Sequence, residues 1–479
     1  MAVVRIKNKT TGEWEQIPMS VIGGMSVSAA KKDINFYDCD GTIRRSYTLD
    51  EVKSITALPA LPTRDGLICQ GWNYDLATIK ARTKPLDIGA VYDTDDGSTR
   101  LYITLTDSEE LTMPLQFKVG SGTATVNWGD GSSETVASGT SASISHEYAQ
   151  PGDYVISISG PLTAIGGDAY NKSVTVTYSS SGSLAYSNAI RKAEIGSNVT
   201  KIGTYAFKNH QCLRTVTIAN SVTQIGNYAF DSCYSLEHVT IPDSVTSLGT
   251  YMFNYCYSLT SVMIPDSVSM IYTYAFAYCN SLTRIVVPES VTNIGSNAFT
   301  SCYTLKEAIL PDTLAALGLG SYAFGYCYSL DSITIPSGVM KLDNQTFMYC
   351  RNLTTVTIPS SVTVLGNNVF QYCSGLSRVI FEGDVTTLGN YVFSNCAGLI
   401  SIDIPGTVTS IGTYAFEKCY SLCVVDFTRH TSLPIPTLSN VNAFSNAKAD
   451  YVVKVPSSLY DSWIAATNWS SIASNIVAV

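Results

Sequence analysis

A 23-residue segment recurs through the second half of the chain, and this repeat constrains the fold more than any other feature. Residues 246–268, TSLGTYMFNYCYSLTSVMIPDSV, are one copy. Successive copies place a phenylalanine 23 residues after the previous one, with longer steps only before Phe324 and Phe444. The aligned residues are Phe207, Phe230, Phe253, Phe276, Phe299, Phe324, Phe347, Phe370, Phe393, Phe416 and Phe444. A fixed period of about 20–29 residues predicts a solenoid in which each repeat forms one coil.

The pattern within one repeat predicts two inward-facing stretches per coil. The consensus reads L-x-x-V-x-I-P-x-S-V-T-x-I-G-x-x-A-F-x-x-C. Alternation around Val239 and Ile241 predicts a strand with both side chains inside. Pro242 ends that strand because proline cannot donate to a ladder. Val245 and Leu248 begin the second stretch. A single coil cannot bury its own apolar face, so stacked coils must share one core, with strands about 4.8 Å apart in a rod about 50 Å long.

The last part of each repeat predicts a turn followed by two residues that close the core. Gly249 is interpreted as a tight turn where a Cβ would interfere, and Phe253 and Cys256 fill the interior. Buried thiols that behave as small hydrophobes are the favoured interpretation of the cysteines. Disulfides between neighbouring coils are the alternative, and metal binding is disfavoured because the chain has no CxxC pair. The aligned residues are Cys233, Cys256, Cys279, Cys302, Cys327, Cys350, Cys373, Cys396 and Cys419.

This pattern resembles the leucine-rich repeats of the BspA-like family of bacterial surface proteins over about residues 186–427. The resemblance implies adhesion to host or partner surfaces and transfers no catalytic residue. An earlier, degenerate coil is predicted from Leu162, because residues 164–170, AIGGDAY, echo the I-G-x-x-A-F segment. We therefore expect a mainly β fold with a solenoid over 161–427. A cap over 428–479 should cover its last coil, with a strand at Val452–Val455 and a helical segment carrying Leu459, Trp463 and Trp469.

Residues 114–160 contain short alternating segments between Gly, Ser and Asp turns, which predict an immunoglobulin-like β-sandwich. The segments VNWGDG at 126–131 and HEY at 146–148 resemble those of a PKD-type domain. That resemblance implies a spacer in a surface protein. Asp130 is expected to form an Asx-type turn, with calcium binding as the alternative.

Residues 1–113 predict a small α+β attachment region. A hairpin is expected across 3–18, with its turn at 10–12, and two strands are expected about the Asp40–Gly41 turn. A proline-punctuated loop and a short helix should follow. The stretch 34–80, with FYDCDGT and QGWNYDL, resembles N-terminal regions of structural proteins of phages and prophages of gut bacteria, and the start resembles tail-associated fibre proteins. This resemblance implies virion tail proteins as partners and explains why no secretory signal is recognised at the N terminus.

Composition narrows the classes of function. The net charge of −9 argues against a nucleic-acid partner, and no apolar run is long enough to predict membrane insertion. The sequence indicates no cofactor and no metal site, since its four histidines form no HExxH or similar spacing. Asp403 and Asp426 occupy equivalent places in successive coils. They are interpreted as solvated acids, with a glycosidase pair as the alternative.

Tyrosines form three columns two residues before, two residues after and four residues after the aligned phenylalanines. Tyrosine presents a rigid ring with a polar tip, and it is typical of recognition surfaces. Packing of ring on ring between coils is the alternative for each residue. The candidate ligand-binding residues are Tyr251, Tyr255, Tyr257, Tyr274, Tyr278, Tyr303, Tyr322, Tyr326 and Tyr328.

Together these features predict a non-enzymatic adhesion or receptor-binding protein. The N-terminal resemblance favours a phage or prophage tail-associated protein, located in the virion, that contacts a bacterial host surface through the solenoid. The alternative is a bacterial cell-surface adhesin that binds host protein or glycan. A homo-oligomer is compatible with the sequence, although no trimerisation heptad is recognised.

Overall fold

The computed structural model describes residues 3–7, 14–18, 32–106, 111–138, 141–166, 189–315 and 318–479. The predicted hairpin is present at the start of the chain as β1 (Val3–Lys7) and β2 (Trp14–Pro18), which pair antiparallel. Its predicted turn lies outside the described residues. Within the described ranges, no helix has the length and apolar character to cross a bilayer.

A small α+β module, residues 32–94, follows the hairpin. Its sheet has the order β4-β3-β6-β5, and β3 and β6 run parallel. The predicted strands about Gly41 are confirmed as β3 and β4. The stretch predicted as a loop contains a strand, β5, because it pairs with β6 at the sheet edge. The elements are β3 (Ile34–Tyr37), β4 (Ile43–Tyr47), α1 (Leu49–Ser54), β5 (Leu67–Trp72), α2 (Leu76–Lys80) and β6 (Leu86–Thr94).

A two-sheet β region connects this module to the repeats. One of its sheets has the order β10-β9-β12-β7 and the other β11-β8-β13. The strands are β7 (Thr99–Leu105), β8 (Thr112–Val119), β9 (Thr123–Asn127), β10 (Ser133–Ala137), β11 (Ser141–Glu147), β12 (Gly152–Ser159) and β13 (Leu162–Ile165). Their immunoglobulin-like and PKD-type identity stays a prediction. The predicted turn at Asp130 is present, since its Oδ1 accepts from the Ser132 backbone N–H at 2.9 Å.

Both sheets of this region continue into the repeats. β7 pairs antiparallel with the first long strand of the solenoid, β14 (Ile190–Ile195), and β13 pairs parallel with its first short strand, β15 (Lys201–Ile202). The predicted earlier coil is therefore represented by β13, although residues 167–170 of its motif lie outside the described residues. One continuous core extends from Leu101 to Ile476. The predicted domain boundaries at 113/114 and 160/161 stay predictions, and described strands pair across both positions.

The repeats form a β-solenoid with a long and a short strand in each coil. Within each sheet equivalent strands pair parallel and in register, for example Val239 with Val262, although not every two neighbouring coils are joined by a strand pairing. The further long strands are β16 (Thr215–Ile218), β18 (His238–Thr240), β20 (Ser261–Met263), β22 (Arg284–Val286), β24 (Glu307–Ile309), β25 (Ser332–Ile333), β27 (Thr355–Ile358), β29 (Arg378–Phe381), β31 (Ser401–Asp403) and β33 (Val424–Asp426). The further short strands are β17 (Gln224–Ile225), β19 (Ser247–Leu248), β21 (Met270–Ile271), β23 (Asn293–Ile294), β26 (Lys341–Leu342), β28 (Val364–Leu365), β30 (Thr387–Leu388), β32 (Ser410–Ile411) and β34 (Thr437–Leu438).

The aligned phenylalanines form one stack inside the solenoid. Neighbouring ring centroids lie between 5.2 and 5.9 Å apart, and neighbouring planes differ by at most 18°. Each aligned cysteine is fully buried and donates its S–H to the carbonyl of the phenylalanine in the preceding coil, as from Cys256 to Phe230 at 3.3 Å. All nine are free thiols, so the interpretation as buried thiols is confirmed. Cysteine suits this place because it is small and apolar yet supplies a weak donor.

The repeat glycine is required by the contact between coils. A Cβ on Gly226 would lie 2.4 Å from the backbone nitrogen of Thr204 in the preceding coil, and one on Gly295 would lie 2.7 Å from that of Thr273. Neither glycine has a positive φ. The predicted tight turn is therefore better described as a close approach between backbones, which only glycine allows without displacement.

The C-terminal segment covers the last coil, as predicted. β35 (Val452–Val455) adds to β33, and β36 (Ile476–Ala478) adds to β35, both parallel. Trp463 and Trp469 are completely buried, and the Trp463 ring centroid lies 4.8 Å from that of Phe427. A 3₁₀ helix at Val441–Phe444 precedes β35. Between β35 and β36 the chain forms α3 (Tyr460–Ala465) and 3₁₀ helices at Ser457–Leu459 and Ser470–Asn475.

The N-terminal module packs on the outward face of the long strands. The Tyr74 hydroxyl donates to the Ile264 carbonyl at 2.7 Å, and Arg82 pairs with Asp266. Lys84 Nζ lies 2.8 Å from an Asp312 carboxylate oxygen. The module is thus fixed to the solenoid by contacts between residues about 180–230 positions apart.

We expect Asp243→Asn to stabilise the protein at pH 7.5 by about 1 kcal/mol, a value reduced for the exposure of this side chain. Burial and the neighbouring Asp266 and Asp75 raise the pKa of Asp243 from 3.8 to about 6. A raised carboxyl pKa lowers stability where the unfolded state ionises before the folded state, so the penalty is absent below about pH 4, grows between about pH 4 and 6, and is complete above 6. Thermal unfolding at pH 4 and pH 7.5 measures the difference. Asp403→Asn, at an exposed acid in a distal coil, is the control, and an equal effect of both variants would contradict this account.

Candidate functional site

Two non-glycine residues in each coil have a left-handed backbone, and the tyrosines of two columns occupy these positions. Tyr251 has φ +56° and Tyr255 has φ +58°. The turn adopts this conformation because alternate N–H groups, those of Tyr251, Phe253 and Tyr255, donate to carbonyls of the next coil at 2.8–3.1 Å. Asparagine tolerates this conformation better than tyrosine. The chain therefore places a bulky ring where the backbone disfavours it.

The candidate tyrosines stack between coils. The ring centroids of Tyr251 and Tyr274 lie 4.6 Å apart, and those of Tyr255 and Tyr278 lie 4.5 Å apart. Tyr303 and Tyr328 stack at 5.0 Å. The stacking predicted as the alternative is thus present, and it offsets part of the backbone strain, since aromatic pairs contribute about 0.5–1.5 kcal/mol each.

Contacts within a coil join the three columns into a surface, which we call the tyrosine array. Tyr255 meets Tyr257 edge to face at 5.8 Å, and Tyr326 meets Tyr328 edge to face at 6.3 Å. Tyr322 lies against Tyr326 at 6.4 Å. The nine candidates therefore form two groups, one around Tyr255 and one around Tyr326, with Ser301 as the equivalent residue in the coil between them. The array is defined by Tyr251, Tyr255, Tyr257, Tyr274, Tyr278, Tyr303, Tyr322, Tyr326 and Tyr328.

The array is only partly covered by the protein itself. Tyr257 is 37% exposed, and the other eight side chains are half-buried. Burial, followed by the neighbouring phenols, raises the pKa of Tyr255 and Tyr326 above the ordinary value. Their hydroxyls therefore stay protonated at neutral pH and can both donate and accept hydrogen bonds. Rigid, half-exposed rings with polar tips are suited to recognition of another molecule.

The surface continues beyond the predicted residues. Tyr349 stacks on Tyr326 at 4.7 Å and on Tyr372 at 4.3 Å. The Arg351 guanidinium lies 4.6 Å from the Tyr328 ring centroid and 5.6 Å from that of Tyr349. Arg351 adds a cation held over two rings. The column spacing includes Tyr349 and Tyr372, whereas only the placement of coils in space reveals Arg351.

Clusters that resemble catalytic groups lack catalytic geometry. Asp130 and Ser132 both contact Nε2 of His146, at 2.7 and 3.3 Å, whereas a triad needs the acid and the nucleophile on different ring nitrogens. Asp403 and Asp426 are register partners on the strand face, and Asp426 accepts hydrogen bonds from the Thr428 backbone and hydroxyl. Across the part of the chain that the structure describes, no three His, Cys, Asp or Glu side chains are arranged to hold a metal ion.

The face covered by the N-terminal module was not anticipated from the sequence. Met263 and Val286 are buried outward-facing residues of the long strands, and Ile309 packs with Val286 against the module. Most other coils carry polar or charged residues in this column. Thr240, in the coil before Met263, is one of them and is half-buried. The apolar run in an outward column is the signal that could have identified the contact.

A family model described as "BspA type Leucine rich repeat region (6 copies)" matches residues 177–306 and 293–423. A leucine rich cell surface protein from Faecalibacterium prausnitzii is 29% identical, with coverage of 62% of this chain and 90% of that chain and a TM-score of 0.38. A leucine-rich repeat protein from Bacteroides ovatus is 23% identical, with coverage of 61% and 96% and a TM-score of 0.35. No curated protein matches.

Proposed function

Because the chain belongs to the BspA-type leucine-rich repeat family, we propose that it is a non-enzymatic bacterial cell-surface adhesion protein. The tyrosine array binds its ligand, a protein or glycan on a host or partner surface. One observation carries this proposal: stacked, half-exposed tyrosines occupy left-handed positions that favour smaller residues. The two groups of the array together span four coils, from that of Phe253 to that of Phe324, so they offer an extended contact area.

The position of the N-terminal module is compatible with this role. The module covers the long-strand face around Met263 and Val286, whereas the array lies on the turns about Phe253 and Phe324. A ligand can therefore reach the rings while the module stays docked.

We expect the triple variant Tyr255→Ser, Tyr278→Ser and Tyr326→Ser to weaken attachment to target cells by about tenfold or more, since each ring presents stacking area and a hydroxyl. Serine already occupies this column at Ser232 and Ser301 with positive φ, so the fold should tolerate it. Attachment to panels of epithelial cells, bacterial cells and mucin, together with the melting temperature, measures both effects.

The matched control is Tyr391→Asn with Tyr414→Asn, which removes a stacked pair at 5.0 Å outside the array. This control should leave attachment unchanged. Attachment that survives the triple variant, or a triple variant that no longer folds, would show that the rings only pack.

A phage or prophage tail protein that contacts a bacterial host is the second candidate. The resemblance of residues 34–80 to phage structural proteins favours it. Genes for tail or capsid proteins beside the coding gene, and the protein's presence in purified particles, would support this candidate over the cell-surface protein. In that case the array would be the receptor-binding surface and the location would be the virion.

A further inference from the structure

A polar groove of about 510 Å³ lies on the short-strand face of the solenoid near its N-terminal end. It crosses the coils of β15, β17 and β19, and it lies outside the tyrosine array. Lys201 lies at one end and Tyr272 at the other, with Gln224, Thr246 and Thr250 between them. We propose that this groove binds a neutral oligosaccharide, with Tyr272 as the stacking platform and the groove's amide and hydroxyl groups as hydrogen-bond partners.

Tyr272 is the first reason for this assignment. It occupies the repeat position that carries glycine in most coils, including Gly249 and Gly295. A Cβ in this column points towards the preceding coil, as the close contacts of Gly226 and Gly295 demonstrate. The Tyr272 side chain therefore lies over the coil that contains Gly249 and Thr250, both of which line the groove. The ring is 41% exposed, so a position that normally brings backbones together instead presents an aromatic face.

The unpartnered polar groups of the groove are the second reason. Gln224, Thr246 and Ser247 make no side-chain hydrogen bond to any described residue. By contrast, the Ser269 hydroxyl, one coil beyond Thr246, donates to the Thr246 carbonyl. The Asn227 Oδ1 accepts from the Thr250 backbone N–H at 3.0 Å, which fixes the amide at the floor of the groove. The side chains of Gln224, Thr246 and Ser247 are therefore available to pair with hydroxyls of a ligand, beside an Asn227 amide that is held in place.

The charge and shape of the groove favour a sugar over other ligands. Lys201 is its only charged lining residue, whereas a phosphate or nucleic-acid site would need several cations. β17 and β19 belong to different sheets and are not paired with each other, but each is only two residues long, so their edges offer a peptide few ladder hydrogen bonds. The mostly polar lining also lacks the apolar pockets that would hold alternate side chains of a peptide. An aromatic ring beside several neutral donors and acceptors suits a ring with an apolar face and polar edges.

The test uses the full chain and short soluble oligosaccharides from β-glucan, xylan, mannan and mucin O-glycans, with binding measured by calorimetry. We expect at least one of these neutral probes to bind. Tyr272→Gly restores the repeat consensus, so it should fold normally while weakening that binding by about tenfold or more. Gln224→Ala should weaken it as well.

The controls use the same columns in a distant coil. Asp343→Gly and Lys341→Ala alter the positions that correspond to Tyr272 and Gln224 outside the groove, and they should leave binding unchanged. The triple tyrosine variant of the array should also leave it unchanged, which separates this site from the proposed function. The proposal is overturned if none of the neutral probes binds, if only charged glycans or peptides bind, or if binding survives Tyr272→Gly.

Discussion

Replacing Phe276 by alanine is expected to lower the free energy of unfolding of the solenoid by about 3–5 kcal/mol. The ring is completely buried and lies between Phe253 and Phe299, at centroid distances of 5.4 and 5.3 Å. Its loss leaves a cavity that neighbouring rings cannot fill, because the coils on both sides are held in register by backbone hydrogen bonds. Since repeats are stabilised mainly by their neighbours, one weak coil should also divide the cooperative unfolding of the whole solenoid.

Urea unfolding followed by circular dichroism and tryptophan fluorescence measures this effect. The coils from β14 to β33 contain no tryptophan, so fluorescence reports the N-terminal hairpin, the module, the two-sheet region and the cap. We expect the two signals to separate in Phe276→Ala. Phe276→Leu, which keeps most of the volume, should cost less than about 1.5 kcal/mol, and Tyr420→Ala, at a 59% exposed ring, should have little effect. A loss below 1 kcal/mol in Phe276→Ala would mean that the stack is not a major source of stability.

Arg284→Ala is expected to cost about 3–5 kcal/mol and to release the N-terminal module from the solenoid. Arg284 Nη1 donates to Asp87 Oδ1 at 2.5 Å, and its Nε donates to Glu307 at 2.8 Å. The side chains of Arg284 and Asp87 are only 8% and 11% exposed. Removing the guanidinium leaves the Asp87 carboxylate buried without its positively charged partner. The resulting loss of free energy destabilises only the state in which the module is docked.

Limited proteolysis and small-angle scattering detect release, as faster cleavage between the module and the two-sheet region and as a larger radius of gyration. Arg378→Ala removes the equivalent, exposed arginine of a distal coil and is the matched control. Release should be reversed in the double variant Arg284→Met with Asp87→Leu, which replaces the pair with apolar groups. A module that stays protected in Arg284→Ala would show that Tyr74, Arg82 and the apolar contacts suffice.

The sequence alone predicts the solenoid because two patterns in it are strict: the 23-residue repeat, and the alternation of inward and outward residues along each strand. Val239 and Ile241 had to face inwards together, and the spacing of Phe253 and Cys256 required one internal column of each. The structure confirms these inferences, as it does the cap strand Val452–Val455. The tyrosine array stays a prediction as a ligand site: the sequence identifies which rings lie together, while the structure adds that they stack.

Other features could not be predicted, since they depend on segments far apart in the chain or on backbone geometry. Docking of the module depends on pairs such as Arg82 with Asp266, and no local pattern specifies them. Tyrosine has no preference for a left-handed backbone, so the positive φ of Tyr251 was hidden. Asn297 and Asn368, in the same column and with positive φ, were a hint. The groove at Tyr272 required knowledge of where a Cβ in the glycine column points.

The docked module also determines where the protein can change length over evolutionary time. Most coils are joined by similar thiol, glycine and backbone contacts, so recombination between near-identical gene segments could insert or delete one complete 23-residue unit. Between Thr240 and Asp312 such an event would move one half of the module's contacts relative to the other half. An insertion or deletion beyond Ser332 would only change the distance between the cap and the docked module. Related chains should therefore differ in the number of distal coils and keep the proximal number constant.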